Sequence, residues 1–323
     1  MQVVAHHAVI VFFVLSGYVI AFTVSGKCNH VRDYAVARLS RLYSVVVPAL
    51  ILTAVLWVVG SWIDPGFYHE YLRRGLWLRY LMTGLHLNEL WFIELNPLTN
   101  SPFWSLGYEA WYYVIFGVAW FVRPWKTRVI VLILCALVVG PKVLLLMPAW
   151  LIGVAIFFWR DRLVLGRGMA PAGFIVSLVA TIAVMCWLPS WPQKPGTHPL
   201  YLSGAAISDF ITSMGWAATI WCFHRAFGQV LLPEPLHRVV RWCANHTFSL
   251  YLYHAPVVIF ATAMVPPLGM SWLAGLGVMA TILLVVMVLG AVTEAQRPHW
   301  QKLFGWVWDR LTAGREPMAA RKV

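Results

Sequence analysis

Glu109 stands in "PFWSLGYEAWYYVIF", an apolar and aromatic run. A carboxylate there is either balanced by a loop arginine or used to orient or deprotonate a polar group. Ser105 lies four residues earlier, on the same face of a helix. His254 follows Ser249, Tyr251 and Tyr253 in "NHTFSLYLYHAPVV", and Pro256 removes a backbone N–H just beyond it. Polar groups beside a helix disruption in an apolar run predict a hydrated cavity. A hydrogen-bonded core histidine is the plainer alternative. Arg32, Arg38 and Arg41 cluster in "RDYAVARLSRLYSVVVP", where guanidinium forks either set topology or grip a phosphate-bearing ligand such as coenzyme A. His6 and His7 open the first apolar run as interfacial side chains, and Asp209 reads as a boundary residue near a span end.

The elements that must position these groups are membrane helices. Of 323 residues, 61% are hydrophobic and 11% charged, and the mean hydropathy is +0.73. A soluble domain carries about 25% charged residues. Nineteen tryptophans suit a chain with two lipid–water interfaces to anchor. The expected fold is therefore all-α, a polytopic membrane protein. About 20 apolar residues span the hydrocarbon core. Nine spans are expected, at 8–25, 43–62, 103–122, 129–141, 144–159, 171–189, 205–224, 247–265 and 272–293. A membrane domain then covers 1–293, with an outer segment at 63–102 and a basic tail at 294–323. In the outer segment, Leu72, Leu76, Trp77, Tyr80 and Leu81 recur at helical spacing, predicting a helix along the membrane surface or a helical lid.

Charge gives the sidedness. One set of loops and the tail collects 19 of the 24 lysines and arginines, leaving Arg73, Arg74, Arg79, Lys142 and Lys194 on the other side. The richer side is the cytoplasmic one, so the net charge of +12 reflects topology and not nucleic-acid binding. Nine spans and a cytoplasmic tail put Met1 outside, and an additional span upstream would bring the amino terminus inside. The five cysteines, Cys28 among them, show no metal-ligand or paired spacing and read as apolar fillers or thiols. Phosphate loops, HExxH zinc motifs, Gly-x-Ser-x-Gly elbows and heptads are absent, so no metal is expected.

Four segments in order, "HHAVIVFFVLSGYVIAF", "YAVARLSRLYSVVVPAL", "FWSLGYEAWYYVIFG" and "FSLYLYHAPVV", resemble membrane-bound acyltransferase family 3. Its bacterial members O-acylate sugars of surface glycans. Phe12, Phe13, Ser16 and Gly17 match the FFVLSG segment, and Arg38 and Arg41 the arginine repeat. Trp104, Ser105, Leu106 and Glu109 match WSL-x-x-E, and Ser249, Tyr251, Leu252, His254 and Pro256 match S-x-Y-L-x-H-x-P. The resemblance implies an inner-membrane enzyme moving an acyl group, most often acetyl, from cytoplasmic acyl-CoA to a sugar hydroxyl of a glycan or lipid-linked acceptor. The donor is a substrate, and no permanently bound cofactor is implied. Arg38 and Arg41 would bind the donor. Glu109 would orient the acceptor or a catalytic imidazole, with Ser105 supporting it and His254 lining the cavity. His6, Trp104 and Tyr251 would contact substrate. The family pattern also has an earlier span bearing an arginine and a histidine, which would lie upstream of Met1; His6 matches instead a histidine ahead of FFVLSG. A transporter or flippase is the competing class, although no inverted repeat is visible.

Overall fold

The computed structural model describes residues 2–26, 30–162, 165–166, 168–230, 232–265 and 271–312, with side chains from Ala5 onward. Lys27, Cys28, Arg167, Arg315, Arg321 and Lys322 lie outside the described residues. Twelve helices form among them: α1 (Gln2–Gly26), α2 (Val31–Ile63), α3 (Pro65–His69), α4 (Leu76–Gly84), α5 (Phe103–Phe121), α6 (Trp125–Trp159), α7 (Ala170–Trp187), α8 (Ala206–Phe227), α9 (Glu234–Asn245), α10 (Thr247–Met264), α11 (Trp272–Glu294) and α12 (Arg297–Thr312). The all-α expectation holds. Helices are what lipid demands, because every backbone N–H and C=O must be satisfied within its own segment.

Six stretches are long and apolar enough to cross a membrane: Ala5–Gly26, Val31–Ile63, Trp125–Trp159, Ala170–Trp187, Thr247–Met264 and Trp272–Thr312. Their outward faces are bare hydrocarbon. Ile175, Val176 and Val179 on α7 are each more than half exposed, a surface suited to lipid. This is a multi-pass membrane protein. Helices α5 and α8 have 19 and 22 residues but a more polar, aromatic make-up, with Glu109 in one and Asp209 in the other. The expected spans at 129–141 and 144–159 are the two arms of α6, broken at Gly140 (φ 76°, ψ 179°) and followed by Pro141. Only glycine takes that conformation readily, and a Cβ there would meet the Cα of Trp91 at 2.7 Å.

The chain divides into two compact units, and the division falls within α5. The first comprises residues 1–29, 89–94 and 108–233. In it α1 and α6 touch backbone to backbone: a Cβ on Gly17 would lie 2.1 Å from the Trp150 carbonyl oxygen, and one on Gly153 1.9 Å from that of Val14. Small residues at such crossings let membrane helices pack by close van der Waals contact.

The second unit comprises residues 30–88, 95–107 and 234–323. Here α2 packs against α10 and α12, and the Arg32 guanidinium forks onto Asp309 at 2.7 and 2.8 Å. The expected tail is thus largely the helix α12, docked on α2. The 63–102 segment does more than lie on a surface. Tyr68 closes over Gly60 near one end of α2, while the Gly84 carbonyl accepts from Tyr43 Oη at 2.8 Å. Those α2 positions are about 25 Å apart at 1.5 Å per residue, so the segment runs alongside α2. Its expected helix starts only at Leu76, because Gly75 (φ 70°) is left-handed and leaves Leu72 outside.

Candidate active site

In the first unit, Glu109 is 2% exposed. Ser16 Oγ donates to Glu109 Oε1 at 2.5 Å, and Tyr113 Oη donates to the same oxygen. Trp150 Nε1 donates to Ser16 Oγ at 3.2 Å. The local sequence explains this ring. Glu109 and Tyr113 are four apart on α5 and share a face. Ser16 comes within reach of Trp150 because its neighbour Gly17 lets α1 press against α6. Two neutral hydroxyls thus fix the carboxylate's orientation, an arrangement suited to accepting a hydrogen bond or a proton from a third hydroxyl.

Two further buried polar pairs lie in this unit. His6 Nε2 bonds both oxygens of Asp209 at 2.9 Å, and the residues are 4% and 1% exposed. Asp209 lies in the first turn of α8 and His6 near the start of α1, and the structure folds the two into one dyad, which the sequence did not show. Lys142 is fully buried and paired with Glu89, with its ammonium also donating to the Ile93 carbonyl at 2.6 Å. This corrects the expectation that Lys142 belongs to an aqueous loop. Its flanking Gly-Pro looked like a loop signal but marks the break within α6. Ser203 Oγ donates to the Lys142 carbonyl at 2.7 Å and shares a 2.8 Å bond with Tyr108 Oη.

In the second unit, Ser105 Oγ and Tyr251 Oη bond at 2.6 Å, and Trp104 is buried nearby in sequence on α5. His254 is half-buried, with Nδ1 held by the Leu250 and Tyr251 carbonyls at 3.2 and 2.7 Å. Asn100 ties the loop before α5 to α2 and α10 by donating to Thr53 Oγ1 and the Leu252 carbonyl, both at 2.9 Å.

The same unit contains a cavity of about 400 Å³ lined by Arg41, Ser44, Trp242, His246, Glu294 and Arg297 among others. Arg38 and Arg41 both lie close enough to Arg297 to repel it. The Arg41 guanidinium lies 6.0 Å from the Phe248 ring, and Arg297 Nε is buried with no hydrogen bond among the described residues. Glu294 is the one carboxylate in the wall, and Ser249 Oγ donates to its Oε1. The cavity is therefore cationic and sized for a small ligand. His254 does not line it. Arg297, Trp242 and Glu294 escaped the sequence reading; a Glu-x-x-Arg at the end of the last apolar run was the available signal. Among the described residues no group of three or more His, Cys, Asp or Glu could hold a metal.

A profile described as an acyltransferase domain matches residues 1–292. The chain belongs to acyltransferase family 3. An O-acetyl transferase of Shigella phage Sf6 is 23% identical over 247 residues, covering 72% of this chain and 74% of that protein. No solved structure matches. The resemblance expected from four short motifs is thus the family of nearly the whole chain, and the protein is a membrane acyltransferase of non-aminoacyl type. For this acyltransferase the motif residues acquire physical parts. Ser16 and Gly17 hold the Glu109 ring, Arg41 walls the cavity, and Ser249 occupies the cavity's carboxylate.

Proposed function

We propose that this acyltransferase moves an acyl group, acetyl in the simplest case, from cytoplasmic acyl-CoA to a sugar hydroxyl of a surface glycan or lipid-linked precursor. The observation that carries this is the cationic cavity walled by Arg41 and Arg297, with Arg38 beside it. Accumulated guanidinium groups with one hydroxyl-occupied carboxylate call for a polyanion, and acyl-CoA is the polyanionic acyl donor. Guanidinium forks are the preferred partners of phosphate. In this reading the cavity opens to the cytoplasm of a bacterial inner membrane, where the C-terminus also lies. That agrees with the cationic loops being inside.

The acceptor hydroxyl oxygen bonds to the thioester carbonyl carbon, the carbon–sulfur bond breaks, and the thiolate leaves as coenzyme A. Glu109 takes the hydroxyl proton, which ends on the thiol. Ser16 and Tyr113 hold the carboxylate in position. In the first unit His6, with Asp209 behind it, contacts the acceptor; in the second, Ser105 bonds the Tyr251 hydroxyl and His254 the Tyr251 carbonyl, which positions that tyrosine. The test is transfer of labelled acetyl from acetyl-CoA to membrane glycan by the protein in nanodiscs. Glu109→Gln should lower turnover by about 10²–10⁴, the usual worth of general acid–base catalysis, while the protein still accumulates in the membrane. Arg38→Ala with Arg41→Ala should raise the KM for acetyl-CoA. Full activity of Glu109→Gln sinks its role; an unmoved KM reduces the arginines to topology.

A further inference from the structure

The cavity holds more than the arginine repeat. Arg297 opens α12, beyond the last apolar helix, and contributes a second guanidinium to the wall that Arg41 begins. Its Nε is buried with no hydrogen bond. Arg297 also shares the wall with Glu294, which already receives Ser249 Oγ. Across the same cavity, the Trp242 and His246 rings lie 4.6 Å apart at 41°. His246 is 8% exposed and its Nδ1 is held by the Trp242 carbonyl at 2.7 Å, whereas Trp242 is 47% exposed. A fixed imidazole thus backs an indole that keeps half its surface open. A ligand with phosphates alone would use the cations and leave the rings idle; one with phosphates and a flat base would use both.

We propose that Arg297 and Trp242 form the nucleotide-reading end of the donor site. Arg297 acts with Arg41 on the phosphates of an adenosine 3′,5′-bisphosphate group, and Trp242, backed by His246, stacks its adenine. This rests on the reading that acyl-CoA is the donor. It makes α12 part of the binding site, with a role beyond that of a topology-setting tail.

Donors with and without the nucleotide separate the possibilities. Acetyl-CoA and S-acetyl-4′-phosphopantetheine are compared as donors with wild-type protein, Arg297→Ala, Trp242→Ala and Trp242→Phe in nanodiscs. Arg297→Ala should raise the KM for acetyl-CoA about tenfold or more, the size of a lost charge-assisted phosphate bond. Trp242→Ala should raise it roughly fivefold or more, as for a lost base–aromatic stack. Trp242→Phe should retain most of the affinity. Neither Ala change should alter the KM for the donor lacking adenine and its 3′-phosphate by more than about twofold, and 3′,5′-ADP should compete with acetyl-CoA more weakly in both. Arg310→Ala, on the same helix with its guanidinium 4.4 Å from the Trp306 ring, should change nothing. If Arg297→Ala does not accumulate, Arg297→Lys carries the test, with a smaller rise on acetyl-CoA alone.

Equal effects on both donors, or none on either, overturn the proposal. So does an Arg297 effect that follows the anionic-lipid content of the nanodisc and ignores 3′,5′-ADP, since the phosphate is then a lipid headgroup. If wild-type protein transfers nothing from acetyl-CoA but accepts another acyl donor, the proposed function itself has failed.

Discussion

Lys142 and the Arg41–Arg297 cavity show two ways of keeping positive charge inside one chain. The Lys142 ammonium is wholly buried, paired with Glu89, bonded to the Ile93 carbonyl and 5.1 Å from the Tyr201 ring. Every feature around it answers its charge. Arg41 and Arg297 are half-buried, repel one another, and share a wall whose only carboxylate is held by Ser249. A buried charge matched in place fixes a fold, because breaking the match strands its partner. Under the proposed function, the cations that line the cavity meet the negative charge of the donor's phosphates. The first arrangement belongs to architecture and the second, under the proposed function, to binding.

The largest expected effect tests the matched side. Lys142→Met removes the cation that faces the buried Glu89 carboxylate, and should cost about 3–5 kcal/mol of stability, read as thermal unfolding in detergent. The double change Lys142→Met with Glu89→Leu should recover most of that loss. If the single and double variants are equally damaged, Lys142 matters for its shape or for chemistry, and the pairing account fails.

A middle effect tests whether the first unit is built by contact as well as by charge. Gly17→Val inserts atoms where a Cβ alone would lie 2.1 Å from the Trp150 carbonyl oxygen. Overpacking should cost about 1–3 kcal/mol and push Ser16 away from Glu109, lowering activity beyond what the stability loss accounts for. Retained activity in a merely destabilised protein would separate the crossing from the carboxylate ring.

The smallest effect is expected where the charge is unmatched. Arg41→Ala removes one of several mutually repelling cations and should shift stability by no more than about 1 kcal/mol, in either direction. Binding of acetyl-CoA should weaken in the same sample. A loss of stability comparable to that of Lys142→Met would mean that the cavity's cations are structural, and the contrast would collapse.

Local composition made the all-α membrane class legible, since hydropathy and helix length act over one segment at a time. Short motifs made the family legible, because Ser16-Gly17, Arg38 and Arg41, Glu109 and Ser249 carry the pattern in sequence order. Glu109 stood out because a carboxylate in an apolar run is conspicuous alone. Partners were not legible. Asp209 read as a span end, and only the packing of α8 against α1 brings it to His6; Lys142 looked like a loop until the Gly140 break was seen inside α6. Arg297 looked like one more tail cation until α12 docked beside α2. The physical reason is the same each time. A residue's cost in the bilayer depends on its own chemistry and its segment, which the sequence states. What offsets that cost is a group tens or hundreds of residues away, and only the tertiary packing selects it.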